Sequence, residues 1–386
     1  MQTVAMNGDQ AIAYAWKQIN PDVVAAYPIT PQTIIVEAFS EYVADGLVDT
    51  EFVCAESEHS ALSLCIGAAA AGARTCTATA SAGLAFMWEM LYIAASMRLP
   101  IVMAVANRAL SGPINIHCDH SDAMGARDSG WLQMFSENAQ EAYDNSIMAF
   151  KIAEHLDLRL PVMTNLDGFV TTHSLENLKL LEDEVVKGFV GEYKPIKPLL
   201  DYRNPVTYGP FDPPDFYFEH KYQQVAAMGR ALKVIKQVSE DYAKTSGRYY
   251  DILEPYHVDD ADFVVMAAGS TAGTLKGVVD ELRAEGMKVG SLKLRVFRPF
   301  PANEIAKMLE GKKAVAILDR AVSFGAAGPI FPEVRSALYD SRDKPKLVNY
   351  IYGLGGRDVS MDELKSVYKA LAKNQAELIN YLGVRI

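Results

Sequence analysis

Two patterns of apolar and polar positions recur along the chain. Val23–Tyr27, Thr75–Ala80 and Pro100–Ala106 are runs of apolar and small residues, as expected of strands buried on both faces. Asp9–Ile19, Pro31–Asp45 and His59–Ala71 carry apolar residues three and four apart, the spacing of amphipathic helices. Glu51–Val53 and Leu160–Asn165 read as further strands, and a turn at Ser81–Gly83 leads into a helix through Met97. The second half repeats the alternation. Phe263–Ala267, Lys288–Lys293, Ala314–Leu318 and Lys346–Ile351 read as strands, and Tyr222–Ala243, Thr271–Glu285, Asn303–Leu309, Pro332–Leu338 and Met361–Leu382 as helices. Such alternation predicts parallel sheets covered by helices, an α/β fold.

Between the halves, six prolines fall in 195–214 with Tyr202, Tyr208 and Phe211 among them. The segment reads either as a stiff surface linker or as an arm lying on another surface, such as a second subunit. Two α/β domains are therefore expected, 1–245 with the arm (about 188–220) and a linker helix, then 246–386.

The 386 residues are half apolar and 22% charged, with 37 Lys plus Arg against 48 Asp plus Glu, a net charge of −11. A phosphate-neutralising face is not expected from this balance, and no basic run suggests nucleic acid. No apolar stretch reaches membrane-spanning length, and Met1–Asp9 lacks a basic leader, so neither membrane insertion nor secretion is expected. The four cysteines (Cys54, Cys65, Cys76, Cys118) contain no C-x-x-C pair. They read as reduced thiols in a cytoplasmic protein, without iron–sulfur ligand spacing.

Four segments carry candidate chemistry. Tyr27-Pro28-Ile29-Thr30-Pro31 ends a strand, with Thr30 suited to cap a helix and Pro31 to begin it. A helix start at the carboxyl edge of a parallel sheet can hold an anion, although an ordinary capped helix has the same signature. Glu56, Glu58 and His59 lie where a strand gives way to a helix, and a partly buried Glu there suits proton transfer. Arg108 directly follows an apolar strand, so its guanidinium emerges at the sheet edge, suited to a carboxylate. His117, Cys118, Asp119 and His120 invite a metal reading, but adjacent residues rarely converge on one ion. Gly269-Ser-Thr-Ala-Gly273 resembles half of a phosphate loop without its full spacing.

Taken in order, Tyr27-Pro-Ile-Thr-Pro, Glu56-Ser-Glu-His-Ser-Ala, Ala106-Asn-Arg-Ala-Leu-Ser, Asp119-His120 with Arg127-Asp-Ser-Gly-Trp131, Leu166-Asp-Gly-Phe169, Leu294-Arg-Val-Phe-Arg-Pro-Phe-Pro301 and Tyr352-Gly-Leu-Gly-Gly-Arg357 resemble the α subunits of the 2-oxoacid:ferredoxin oxidoreductases. Within that family the resemblance is to the pyruvate:ferredoxin oxidoreductase (pyruvate synthase) type, over essentially the whole chain. It implies a thiamine diphosphate-binding fold of the pyrimidine-side type, followed by a domain like the C-terminal domain of transketolase. By that resemblance Glu58 contacts N1′ of the aminopyrimidine, favouring the imino tautomer that takes the thiazolium proton. Tyr27, Pro28, Ile29, Ser81 and Gly83 are implied to line the cofactor, and Thr30 and Arg108 to hold the substrate carboxylate. The implied reaction is the reversible oxidative decarboxylation of pyruvate with coenzyme A to acetyl-CoA, CO2 and reduced ferredoxin.

The family's Gly-Asp-Gly diphosphate motif is absent, as are cluster cysteines. The chain is therefore expected to supply half an active site. Mg2+ and diphosphate are expected on a β subunit, and [4Fe-4S] clusters on partners that include γ and a ferredoxin-like δ subunit. Branched-chain, aryl or 2-oxoglutarate substrates remain alternatives to pyruvate; Thr30 in place of a second arginine argues against a dianion such as oxalate. The alternatives of another class are a self-contained nucleotide-binding protein built on Gly269–Gly273 and a non-catalytic scaffold subunit.

Overall fold

The apolar runs become strands whose side chains are buried on both sheet faces. In the computed structural model, which describes residues 2–385, the strands are β1 (Gln2–Met6), β2 (Val23–Ala26), β3 (Glu51–Cys54), β4 (Thr75–Thr79), β5 (Val102–Asn107), β6 (Leu132–Ser136), β7 (Val162–Asp167), β8 (Glu176–Leu180), β9 (Leu253–Tyr256), β10 (Phe263–Ala267), β11 (Val289–Leu294), β12 (Val296–Arg298), β13 (Ala314–Asp319), β14 (Lys346–Tyr352) and β15 (Ile379–Leu382). A seven-stranded sheet has the order β12-β6-β7-β5-β4-β2-β3, and a six-stranded sheet the order β15-β14-β13-β10-β11-β9. Both are parallel apart from one antiparallel edge strand each, β12 and β9. β1 and β8 form a separate antiparallel ribbon.

From β2 the chain crosses outward to β3, then returns to lay β4 on the other side of β2. Successive crossovers thus diverge between β2 and β4. Their carboxyl ends open a crevice, the usual ligand position in such sheets. Helices flanking it have legible ends. Glu58–Ala71 begins at Ser57, whose hydroxyl accepts from the Ser60 amide, and stops at Gly72, with φ of 114°. A left-handed residue there suits glycine.

Several expected elements differ. Ser81–Gly83 is not a turn but the first residues of a helix, Ser81–Phe86, with a second helix at Trp88–Ser96. Thr30 does not cap its helix: Thr33–Ala44 begins after Gln32 with no side-chain cap. The Gln32 amide instead donates to Ala78 O (2.8 Å), tying the end of β2 to β4. The helix expected through Leu382 ends at Ala372, and β15 adds to the sheet edge. Pro214–Ser246 is longer than the Tyr222–Ala243 periodicity suggested. Helix Ala139–Glu154 is an addition: its buried face carries Glu141, Asp144, Asn145 and Ser146, which conceal the apolar stripe.

Those polar groups join the two sheets. Lys293, buried on β11, lies 2.5 Å from Glu141 and 2.9 Å from Glu137. Asp144 accepts from Arg248 at 2.7 Å and from the Tyr250 hydroxyl at 2.6 Å. Arg295 donates to Asn145 Oδ1 at 2.6 Å, and the next residue begins β12, the edge strand of the first sheet. Strand Val296–Arg298 thus comes from beyond the expected division at 245/246, which itself falls within the last turn of Pro214–Ser246. The Pro-rich segment lies partly on its own chain. Leu199 donates to Ala70 O at 2.9 Å, and the prolines at 195 and 198 cover Gly72. Tyr202, Phe211 and Phe218 face outward.

Candidate active site

The strand order brings the expected site residues to one edge. Tyr27–Thr30 follow β2, Glu58 follows β3, Ser81–Gly83 follow β4 and Arg108 follows β5, all at carboxyl ends of parallel neighbours. Glu58 occupies the first turn of its helix, where free N–H groups favour negative charge. It is buried, yet among the described residues its carboxylate has no hydrogen bond or ion pair. The Thr79 hydroxyl beside it is buried and likewise unpartnered. Gly83 makes room for both: a Cβ there would stand 2.7 Å from Glu58 Oε1 and 2.6 Å from Thr79 Oγ1. Glu56, two residues earlier, is exposed and accepts from the Ser60 hydroxyl at 2.8 Å. Burial separates two carboxylates that local pattern alone does not distinguish.

Arg108 is buried, and its guanidinium is held by backbone carbonyls: Nε on Asn115 O at 3.1 Å and Nη1 on Thr30 O at 2.9 Å. The structure therefore brings Arg108 and Thr30 together. A buried cation held only by carbonyls, with no carboxylate in ion-pair range among the described residues, keeps charge available for an anion. Thr30 is exposed, and its contact with Arg108 runs through the carbonyl. Tyr27 and Pro28 are exposed and Ile29 is half-buried. Ser81 is fully buried, its hydroxyl donating to Ala109 O at 2.5 Å. Its hydroxyl is therefore engaged within the chain.

Two carboxylates emerge only from the structure. Asp122 accepts the amides of Ser81 and Arg108, each at 3.0 Å, on one oxygen. Its other oxygen accepts Asn107 Nδ2 at 3.0 Å and the Ala123 amide at 2.7 Å. Burial pushes its carboxyl up to about 6, against the pull of those four donors. Asp167, at the end of β7, receives His120 at 2.7 Å, Arg320 at 2.8 Å and the Ser270 hydroxyl at 2.6 Å. Burial alone would raise Asp167, but His120 and Arg320 outweigh it and hold the carboxyl far below the ordinary range. Asp167 had a sequence signal, its place in the Leu166-Asp-Gly-Phe169 motif at a strand end, whereas Asp122, between β5 and β6, had none.

Asp167 also decides two open motifs. The Ser270 amide donates to its Oδ2 at 3.1 Å, and a Cβ at Gly269 would stand 2.6 Å from Oδ1. The Gly269–Gly273 loop closes on a carboxylate of the other sheet, which already occupies the Ser270 amide and hydroxyl that a phosphate would need. Cys118, His120 and Asp167 do lie within metal-binding distance of one another. Arg320 already supplies the cation on Asp167. The Tyr352–Arg357 motif seats against the Arg108 loop: the Gly356 amide donates to Cys118 O at 2.6 Å and Asn115 Nδ2 to Gly355 O at 3.1 Å.

Comparison with known proteins agrees with this arrangement. Residues 14–240 match the family described as pyruvate flavodoxin/ferredoxin oxidoreductase, thiamine diphosphate-binding, and residues 261–364 match pyruvate:ferredoxin oxidoreductase core domain II. The pyruvate synthase subunit PorA of Thermotoga maritima is 56% identical over 100% of this chain and 99% of its own length. The PorA subunit of Methanocaldococcus jannaschii is 48% identical over 98% of this chain and 97% of its own. The ketoisovalerate oxidoreductase subunit VorA of Pyrococcus abyssi is 44% identical over 95% and 93%. In fold, the chain is similar to a 2-oxoglutarate:ferredoxin oxidoreductase from Magnetococcus marinus, solved with 2-oxoglutarate, coenzyme A and succinyl-CoA bound. The TM-score is 0.75 at 19% identity, over 96% of this chain and 65% of that one. With full-length relatives at this identity and a family match spanning most of the first sheet, the chain belongs to the pyruvate flavodoxin/ferredoxin oxidoreductase family.

Proposed function

We propose that this chain is the pyrimidine-side subunit of a multi-subunit 2-oxoacid:ferredoxin oxidoreductase that converts pyruvate and coenzyme A to acetyl-CoA and CO2, reversibly. The observation that carries the reading is the pair of unanswered charges at one sheet edge, the buried Glu58 carboxylate and the buried Arg108 guanidinium. A carboxylate with no internal partner, beside the Thr79 hydroxyl and a glycine that leaves room, fits a ring that brings its own N–H groups. Glu58 would hold the aminopyrimidine through a charge-assisted hydrogen bond, with Tyr27–Ile29 and Gly83 along the crevice. Thiamine diphosphate, when bound, supplies the carbanion that attacks the keto carbon and accepts the electrons left by CO2.

In this reading Glu58 holds a proton at the aminopyrimidine ring and so sets its tautomer. Arg108 orients the substrate carboxylate, with the Thr30 hydroxyl as a second contact. Mg2+, diphosphate and [4Fe-4S] clusters fall to partner subunits of β, γ and δ type, since this chain has neither their motif nor their ligands. Ferredoxin, itself acidic, docks on one of those partners, because like charges slow association. The domain division near 245 and a cytoplasmic location belong to the same proposal; four free cysteines support the latter. Among the described residues no helix is long and apolar enough to cross a membrane.

The VorA similarity keeps a branched substrate as a second reading. Co-expression with candidate partners tests both. Pyruvate- and coenzyme A-dependent ferredoxin reduction should appear only in the assembled complex, and Glu58→Gln should lower turnover by about 10²-fold or more while leaving assembly intact. Turnover by the isolated chain, or near-normal turnover in Glu58→Gln, contradicts the proposal. A higher kcat/KM for 3-methyl-2-oxobutanoate than for pyruvate selects the second reading.

A further inference from the structure

We propose that Asp122 is a positioning residue that fixes Arg108 relative to the Glu58 side of the crevice. The inference rests on the reading of Arg108 as the substrate cation. Asp122 Oδ2 accepts two backbone amides at 3.0 Å each, those of Ser81 and Arg108. Ser81 follows β4 and leads to Gly83, against which Glu58 rests; Arg108 follows β5. One buried oxygen therefore bridges the two strand ends that carry the cofactor and substrate sides.

Ser81, whose amide donates to Asp122, has a left-handed backbone, with φ of 47°. A serine in that region persists only where its surroundings over-determine it. Here they do so at both ends of the residue, through the amide on Asp122 and the hydroxyl on Ala109 O. Ala109 is the residue after Arg108, so the same turn returns to the substrate side. On Oδ1, Asn107 Nδ2 and the Ala123 amide lock the carboxylate in place. The Leu110 amide on Ser121 Oγ, at 2.9 Å, ties the loop beyond Arg108 to the residue before Asp122. Each contact constrains where the Arg108 backbone lies, and none touches the guanidinium that would meet substrate. Asp122 thus acts on Arg108 through the main chain. With the backbone displaced, the guanidinium loses its register to the Thr30 and Asn115 carbonyls.

The test is a double-mutant cycle in the assembled complex, with pyruvate kinetics and thiamine diphosphate titration on each member. Asp122→Asn keeps the shape but turns an amide NH2 toward two N–H donors. It should raise the pyruvate KM at least tenfold with a smaller fall in kcat, and leave cofactor affinity within about threefold. In an Arg108→Ala background the same change should alter KM less than twofold, because the cation it positions is gone. Equal effects in both backgrounds would mean that Asp122 acts only on general stability, which overturns the proposal. An unchanged KM in Asp122→Asn, while Arg108→Ala raises it, overturns the proposal and leaves Arg108 as the substrate cation. An unchanged KM in Arg108→Ala removes both. Should Asp122→Asn not assemble, Asn107→Ser withdraws one donor from Oδ1 and keeps the carboxylate. It should raise KM about threefold with kcat held, and an unchanged KM there is equally contrary.

Discussion

Gly83→Ala adds a single methyl group at the wall of the crevice. The new Cβ would stand 2.7 Å from Glu58 Oε1, 2.8 Å from Glu58 Cγ and 2.6 Å from Thr79 Oγ1. Non-bonded carbon contacts settle near ~3.5 Å, so something must retreat by roughly 0.7 Å. Thr79 is a stiff β-branched side chain on a fully buried strand, whereas Glu58 has three rotatable bonds and no internal partner to resist the push. The displacement therefore falls on the Glu58 carboxylate. A misplacement of about 1 Å in a reacting group costs up to ~10² in rate, so turnover should fall about 30- to 100-fold. Stability should fall by a net ~0–2.5 kcal/mol, since moving Glu58 does not relieve the Thr79 contact. Alanine gains ~0.5–1 kcal/mol over glycine within a helix, against ~1–3 kcal/mol for overpacking. The assay is pyruvate-dependent ferredoxin reduction by the assembled complex, beside thiamine diphosphate titration and a melting curve. In a Glu58→Gln background the added methyl should cost less than threefold, since the group it displaces no longer acts. Wild-type turnover in an intact Gly83→Ala complex would refute the placement of Glu58 at the reacting centre.

Arg108→Ala should weaken pyruvate use by about 10- to 100-fold, the ~1.5–3 kcal/mol of a charge-assisted contact, and Thr30→Val by less, ~0.5–1.5 kcal/mol; loss of the cofactor with an unchanged pyruvate KM would reassign Arg108. Asp167→Asn should destabilise the chain by ~3–5 kcal/mol, because Arg320 is left buried without its carboxylate; an unaltered melting temperature would show that the junction between the sheets does not depend on this pair. Burial pushes the Asp319 carboxyl to about 7, although Ile330, Phe331 and Asn349 donate to it. Its native value lies above the unfolded one, so its stabilising contribution is complete below about pH 4 and is lost as pH rises through 7. Between pH 8 and pH 6 Asp319 should therefore add ~1.4 kcal/mol, and Asp319→Asn should flatten the melting-temperature profile over that window. An equal slope in the variant would show that Asp319 stays ionised throughout.

Most strands were legible because both of their faces are buried, so composition alone marks β5 and β10 as runs of mainly apolar residues. Arg108 was legible for a related reason, as a charged residue where such a run ends; Glu58 follows a partly exposed edge strand and was singled out by the resemblance. Helix Ala139–Glu154 was hidden by its own buried Glu141, Asp144 and Asn145, whose partners Lys293, Arg248 and Arg295 lie more than a hundred residues away. Local pattern cannot reveal a polar group that is satisfied across a sheet-to-sheet junction. The same limit hid the distant partners of two other segments: Ala78 on β4 accepts from Gln32 beside the expected Thr30 cap, and Asp167 accepts the Ser270 amide of the Gly269–Gly273 loop. The sequence by itself determined the α/β alternation, the place of Glu58 and Arg108 after strand ends, and the lack of a diphosphate motif, all properties of residue type and local order. Only the tertiary structure decided that Glu58 rather than Glu56 is shielded, that Arg108 meets Thr30 through a carbonyl, and that Asp122 and Asp167 hold the loops. Each of those depends on which distant backbone and side-chain groups the strand order makes neighbours.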